Sequence, residues 1–203
     1  MMQEFVDQVN KTARKATEDM HTALPGVITS FDPGSGMASV QPKAKFKKPD
    51  GKTMDFPEVT GVPVVFPQSA GATIAWPIKP GDGCLIVFSE SALDYWMYGK
   101  ETDTALKFDL SSAIAIPGLL AKGNPAMQTA CGEDAVVVVA GGTTLKVTPS
   151  EVTIIGNLKV NGKIEATDDV IGKGISLATH THTGDSGGST STQIGRASCR
   201  ERV

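Results

Sequence analysis

The hydrophobic positions of this chain change period twice. Between residues 2 and 22, apolar side chains recur at helical spacing, at Phe5, Val9, Ala13, Ala16 and Met20, among Glu, Lys, Asp and Gln. Pro25-Gly26 stops that pattern. The apolar stripe is thin, so the predicted helix is stable only when docked on something. From Gly26 to about Pro117 the pattern becomes one of short strands. Val27–Phe31, Ala38–Gln41, Lys43–Lys48, Val62–Phe66, Thr73–Trp76 and Cys84–Phe88 are divided by turn sequences such as Asp32–Gly36, Pro49–Lys52 and Pro80–Gly83. Leu93–Met97 predicts one helical turn, and Ala113–Gly118 closes the unit. So many short strands in about 90 residues predict a small barrel such as the OB-fold.

A small-residue linker, 119–132, comes next, followed by the β-branched run Val136–Val139, then Gly141-Gly142 and Leu145–Thr148. Beyond it the chain repeats with a period of six: EVTIIG from Glu151, NLKVNG from Asn157, KIEATD from Lys163 and DVIGKG from Asp169. Turn residues fall at Gly156, Gly162, Asp168 and Gly174. Apolar residues fall at Val152, Leu158, Ile164 and Val170, and two places on at Ile154, Val160 and Ala166. Each hexad predicts one short strand with alternating faces and a turn. The two Trp, two Tyr and seven Phe all lie before residue 109, so this region has only small aliphatics to bury. Such a stripe is too narrow for a monomer core, but it can pack around a threefold axis where three copies share one core. A β-helix or intertwined trimeric needle is the physical expectation, with a plain antiparallel meander as the alternative.

Composition narrows the function classes. No apolar run approaches the ~18 residues of a membrane span, and the polar, charged residues 1–20 do not read as a signal peptide. The formal net charge is −3, which disfavours a phosphate-tracking nucleic-acid binder. Residues 193–203, QIGRASCRERV, break from the preceding GDSGGSTST and read as a translated sequencing-adapter artefact, set aside from fold reasoning. Without Arg196, Arg200, Arg202 and Glu201 the net charge becomes −5. Cys199 leaves with them, and Cys84 and Cys131 show neither a pairing pattern nor ligand spacing, so both read as buried free thiols in a reducing compartment.

The candidate chemistry is a histidine pair. His21, at the end of the first helical pattern, reads as solvated, whereas His180 and His182 flank Thr181 in THTHT. In an extended segment residues i and i+2 face the same way. One chain offers two ligands, a poor site; three chains offer six imidazoles around one point, an octahedral cage. Imidazole suits Fe, Zn, Cu or Ni, and six-coordination argues against structural Zn. Gly184–Gly188 is sterically small, which lets three chains crowd there. The alternative is an exposed pair in a flexible tail.

At this point the chain resembles the central spike proteins of contractile-tailed bacteriophages, the membrane-puncturing or baseplate-assembly-V type. The resemblance covers most of residues 20–192. It is carried by Pro25–Ile28, Val40–Pro42, Val62–Val64, Pro77–Asp82, Leu93–Trp96 and Phe108–Ser111, then by Leu158–Gly162 with Ile164, Ser176-Leu177 and His180–Gly184. It implies a mainly β homotrimer with a short N-terminal helix (1–23), an OB-fold-like barrel (24–118) that seats on a baseplate hub protein, and the linker 119–132. A triple-stranded β-helical shaft (133–177) and a metal-binding apex (178–192) would follow. The apex would hold one iron ion per trimer through His180 and His182 of each chain, with no catalytic residue and no enzyme activity. The protein would be made in the host cytoplasm and reside in the virion, at the tail baseplate tip, where it meets the bacterial outer membrane.

Two other readings compete. Lys43, Lys45, Lys47 and Lys48, with Phe46 among them, suit an OB-fold nucleic-acid module, which needs a positive groove and stacking aromatics. The rest of the domain supplies little positive charge, and lysines guarding an edge strand against aggregation are the simpler account, so no nucleic-acid partner is expected. Hexad repeats also build β-helical acyltransferases, but four clean hexads are too few, and no Ser-His-Asp or Cys-His arrangement and no P-loop accompanies them.

Overall fold

The computed structural model describes residues 2–18, 20–48, 51–99 and 106–181. The chain is mainly β, and its internal contacts divide it into two compact units, Met1–Pro125 and Ala126–Val203.

The first unit opens with helix α1 (Met2–Glu18). Strands β1 (Ala23–Asp32), β2 (Met37–Pro42), β3 (Lys45–Lys47), β4 (Thr53–Asp55), β5 (Val59–Pro63), β6 (Gln68–Ser69), β7 (Ala72–Thr73) and β8 (Gly83–Phe88) follow. The short helix α2 (Asp94–Tyr98) then precedes β9 (Ala113–Pro117). Five of the strands form one antiparallel sheet in the order β5-β2-β1-β8-β9. The sheet curls until its two edges meet: Val64 bridges Ala115 in parallel, and the Val65 N–H donates to the Ala115 carbonyl at 2.9 Å. A partly open five-stranded barrel of this kind is the OB-fold arrangement. The register shift between Ile28 and Ser30 is a bulge that helps β1 bend.

Alternation builds the core. Ala38, Val40 and Pro42 on β2, and Cys84, Ile86 and Phe88 on β8, point inward while their neighbours point outward. They meet Ile28, Val62, Ala113 and Ala115. Each large aliphatic buried here contributes about 1.5–3 kcal/mol. Burial also pushes the Cys84 thiol pKa up. Cys131, in contrast, is exposed, which corrects the expectation that both thiols are buried. The expected strand Thr73–Trp76 reaches only Thr73; Trp76 instead packs edge-on against Phe66 at 5.2 Å. His21 is not simply solvated: it lies edge-on to Phe56 at 5.4 Å and near Phe88 at 5.7 Å. The apolar face of α1 is uncovered, with Phe5 68% exposed, as a helix that needs a docking partner would be.

Asp109 caps the single 3-10 turn Leu110–Ser112 that leads into β9, accepting from the Ser111 N–H at 2.9 Å and its hydroxyl at 2.7 Å. These bonds, that to the Ser111 side chain foremost, hold its carboxyl below the ordinary aspartate value. A depressed folded-state pKa gives stability that is present above the unfolded value and lost as pH falls through the folded one. Asp109→Ala is therefore expected to cost about 1 kcal/mol at neutral pH. Urea titrations of both proteins at a series of pH values should show that difference shrinking in acid.

In the second unit, α3 (Pro125–Gly132) lies within the stretch read as a linker. Strands β10 (Val136–Ala140), β11 (Thr143–Val147) and β12 (Val152–Ile155) then form an antiparallel sheet. Its register aligns Val136, Val147 and Val152 in one row and Val138, Leu145 and Ile154 in the next but one, all on the same face. These six residues are 38% to 67% exposed. On the other face Lys146 forms an ion pair with Glu133. Beyond β12, residues 157–170 form no strand, and Leu158, Val160, Ile164 and Val170 are exposed. Of the four hexads, EVTIIG is thus a strand, while NLKVNG and KIEATD pair with nothing in this chain's sheets. Gly156 (φ 133°) and Gly162 (φ 153°) take the positive φ values that the hexad turns require. The unit's described part ends in the hairpin β13 (Ile171–Gly172) and β14 (Ile175–Ser176). No helix among the described residues is long and apolar enough to cross a membrane.

Candidate metal-binding apex

The segment that carries His180 is fixed by the last hairpin. Lys173 (φ 50°) and Gly174 (φ 81°) form the two-residue turn between β13 and β14, both in the left-handed region that a type I′ hairpin demands. The Leu177 N–H donates to the Val170 carbonyl at 2.8 Å and extends the pairing by one step. Asp169 then ties the two arms together. Its Oδ1 accepts from the Val170 N–H at 2.7 Å and from the Ala178 N–H at 3.0 Å. A hydrogen bond from the Ser176 side chain is the largest of the effects that hold the Asp169 carboxyl below the ordinary aspartate value. The Ser176 hydroxyl oxygen in turn accepts from the Thr179 N–H at 2.9 Å.

These contacts deliver His180, which is half-buried. Its Nδ1 sits 2.8 Å from the Ser176 carbonyl and 3.1 Å from that of Leu177. A carbonyl only accepts, so Nδ1 carries the proton and the neutral ring keeps its lone pair on Nε2. Nδ1–H bonded to a backbone carbonyl is the usual outer arrangement of a metal-ligating histidine. The donor chemistry therefore fits a metal at Nε2. His182 lies outside the described residues. Among the described residues no three His, Cys, Asp or Glu groups converge as a metal would require, so within this part of one chain His180 stands as a single ligand. The hexad pattern places a turn at Asp168 and gives Asp169 no role. The missed signal was an aspartate opening the DVIGKG hexad seven residues before a serine, in reach only once the hairpin folds back.

The lysine-rich strand has a different environment from the one a nucleic-acid site needs. Lys45 on β3 faces Asp55 on β4 at 3.5 Å. Phe46 packs against Phe56 at 5.2 Å and is half-buried instead of presenting a face for a base. Elsewhere in the first unit, Phe31, Phe66, Trp76, Pro77 and Ile78 line an apolar cavity of about 510 Å³ that the strand pattern did not announce.

No curated protein gives a significant match to this chain. Residues 24–118, the curled sheet and its connections, match the family model of the phage protein Gp138 N-terminal domain, a similarity that supports a phage structural role.

Proposed function

We propose that this protein is the trimeric central spike tip of a contractile phage baseplate, driven through the host outer membrane when the sheath contracts. One observation carries the reading. The second unit presents a largely aliphatic sheet face, Val136, Val138, Leu145, Val147, Val152 and Ile154, and continues into hexads whose aliphatics are also uncovered. Apolar surface of this extent marks an interaction site. Residues 157–168, which join no strand of this chain, suit strands whose ladder partners come from other copies. Three chains interleaved in this way leave few free strand edges, and that gives a needle its rigidity.

On this reading the first unit, similar to a phage-protein domain, seats the spike on the baseplate hub. The apex gathers His180 and His182 of each chain around one iron ion, whose role is to clamp three chain ends that would otherwise fray. The purified protein is expected to have a trimer's mass by light scattering. Plasma mass spectrometry should find about one iron per three chains, as six imidazole ligands imply. A monomeric mass, or a trimer free of metal, would overturn the proposal.

A further inference from the structure

The geometry points to Asp169 as the positioning residue for the His180 ligand, a role that rests on the metal-binding apex proposed above. Two links connect them. Asp169 holds the Ala178 N–H at 3.0 Å and takes a hydrogen bond from the Ser176 side chain. Ser176 and Leu177 supply the carbonyls that fix the His180 ring through Nδ1, at 2.8 and 3.1 Å. The carboxylate thus sets the path of 176–178, and that path sets the tautomer and direction of the imidazole. It does so across a nine-residue separation, which places the ligand relative to the hairpin and not merely relative to its own loop.

An anion suits this task because its acceptor sites meet several donors at once. The Val170 and Ala178 amides share one oxygen, and neither arm of the hairpin can slide without breaking a bond. Asparagine keeps one acceptor oxygen but loses the charge and the second, so Asp169→Asn should be a partial substitute. Alanine keeps nothing.

The test uses full-length protein labelled with 15N-histidine, which gives signals from only His21, His180 and His182. In iron-stripped wild-type protein at about pH 8, above the ordinary imidazole value, the His180 ring nitrogens should report the Nδ1–H tautomer. Asp169→Ala should shift His180 toward the tautomer mixture of a solvated imidazole, with Asp169→Asn between the two. Titration with ferrous iron should show affinity falling roughly 10–100-fold in Asp169→Ala, the usual penalty for losing an outer-sphere partner. If His180 in Asp169→Ala keeps the wild-type tautomer, the inference fails, whether or not the protein binds iron. If wild-type protein shows the fixed tautomer but takes up no iron, the metal reading fails while the positioning role stands. Should the alanine variant misfold, Asp169→Asn carries the same comparison.

Discussion

Replacing Leu145 by aspartate is expected to break the proposed trimer into monomers. Leu145 is the middle of the row Val138, Leu145 and Ile154, and the strand that bears it is the middle of its sheet. No position on the aliphatic face is more enclosed by apolar neighbours once a second copy covers it. A carboxylate there would lose its water without gaining a partner, and the effective penalty for an unpaired buried charge is several kcal/mol. A threefold assembly would meet that penalty three times. Light scattering should then give the mass of a single chain, 21.2 kDa, in place of three. Thr144→Asp, one residue away but on the opposite face, should leave the trimer intact. A Leu145→Asp protein that keeps the trimer mass would remove this face from the interface.

The second large effect lies in the barrel. A Cβ added to Gly83 would stand 1.9 Å from the Leu119 carbonyl oxygen and 3.1 Å from its carbon. Both atoms are backbone, so no side-chain rotation relieves the contact. The chain beyond β9 would have to withdraw, and with it the bond in which the Gly118 N–H donates to the Gly83 carbonyl at 3.0 Å. That bond continues the β8–β9 ladder past the Cys84 and Pro117 pair. Overpacking of this kind costs about 3 kcal/mol or more when the obstacle cannot give. Since each kcal/mol moves the melting point of a domain this size by roughly 4–8 °C, Gly83→Ala should melt more than 10 °C below the parent. Gly71→Ala is the natural control, because a Cβ there meets nothing within 4 Å. Equal melting temperatures for the two variants would refute the argument.

The barrel was legible where strands are half-buried. Ala38–Gln41 and Cys84–Phe88 were readable as the strands β2 and β8, but which of their side chains point inward is decided by the one face of each that meets the core. The strand pattern failed at Trp76, whose apolar neighbours look like a strand but serve an aromatic cluster with Phe66. Helix α3 hid among small residues, although Pro125 at its start and Gly132 at its end are the usual boundary signals. The hexads were legible as turns, since Gly156 and Gly162 need conformations that side chains resist. Strand pairing at 157–168 was not, since NLKVNG and KIEATD join none of this chain's sheets. His180 stood out as a residue type, but the Asp169 clasp behind it depends on a fold-back that no local pattern encodes.

The position of the aromatic rings has an optical consequence. Trp76, stacked edge-on against Phe66, and every other Trp, Tyr and Phe belong to the unit that ends at Pro125. Tryptophan emission and near-ultraviolet dichroism therefore follow the barrel alone. The second unit holds no Trp, Tyr or Phe, so its own assembly or melting gives no signal from such a ring, and a fluorescence melt of this protein is a measurement of half of it.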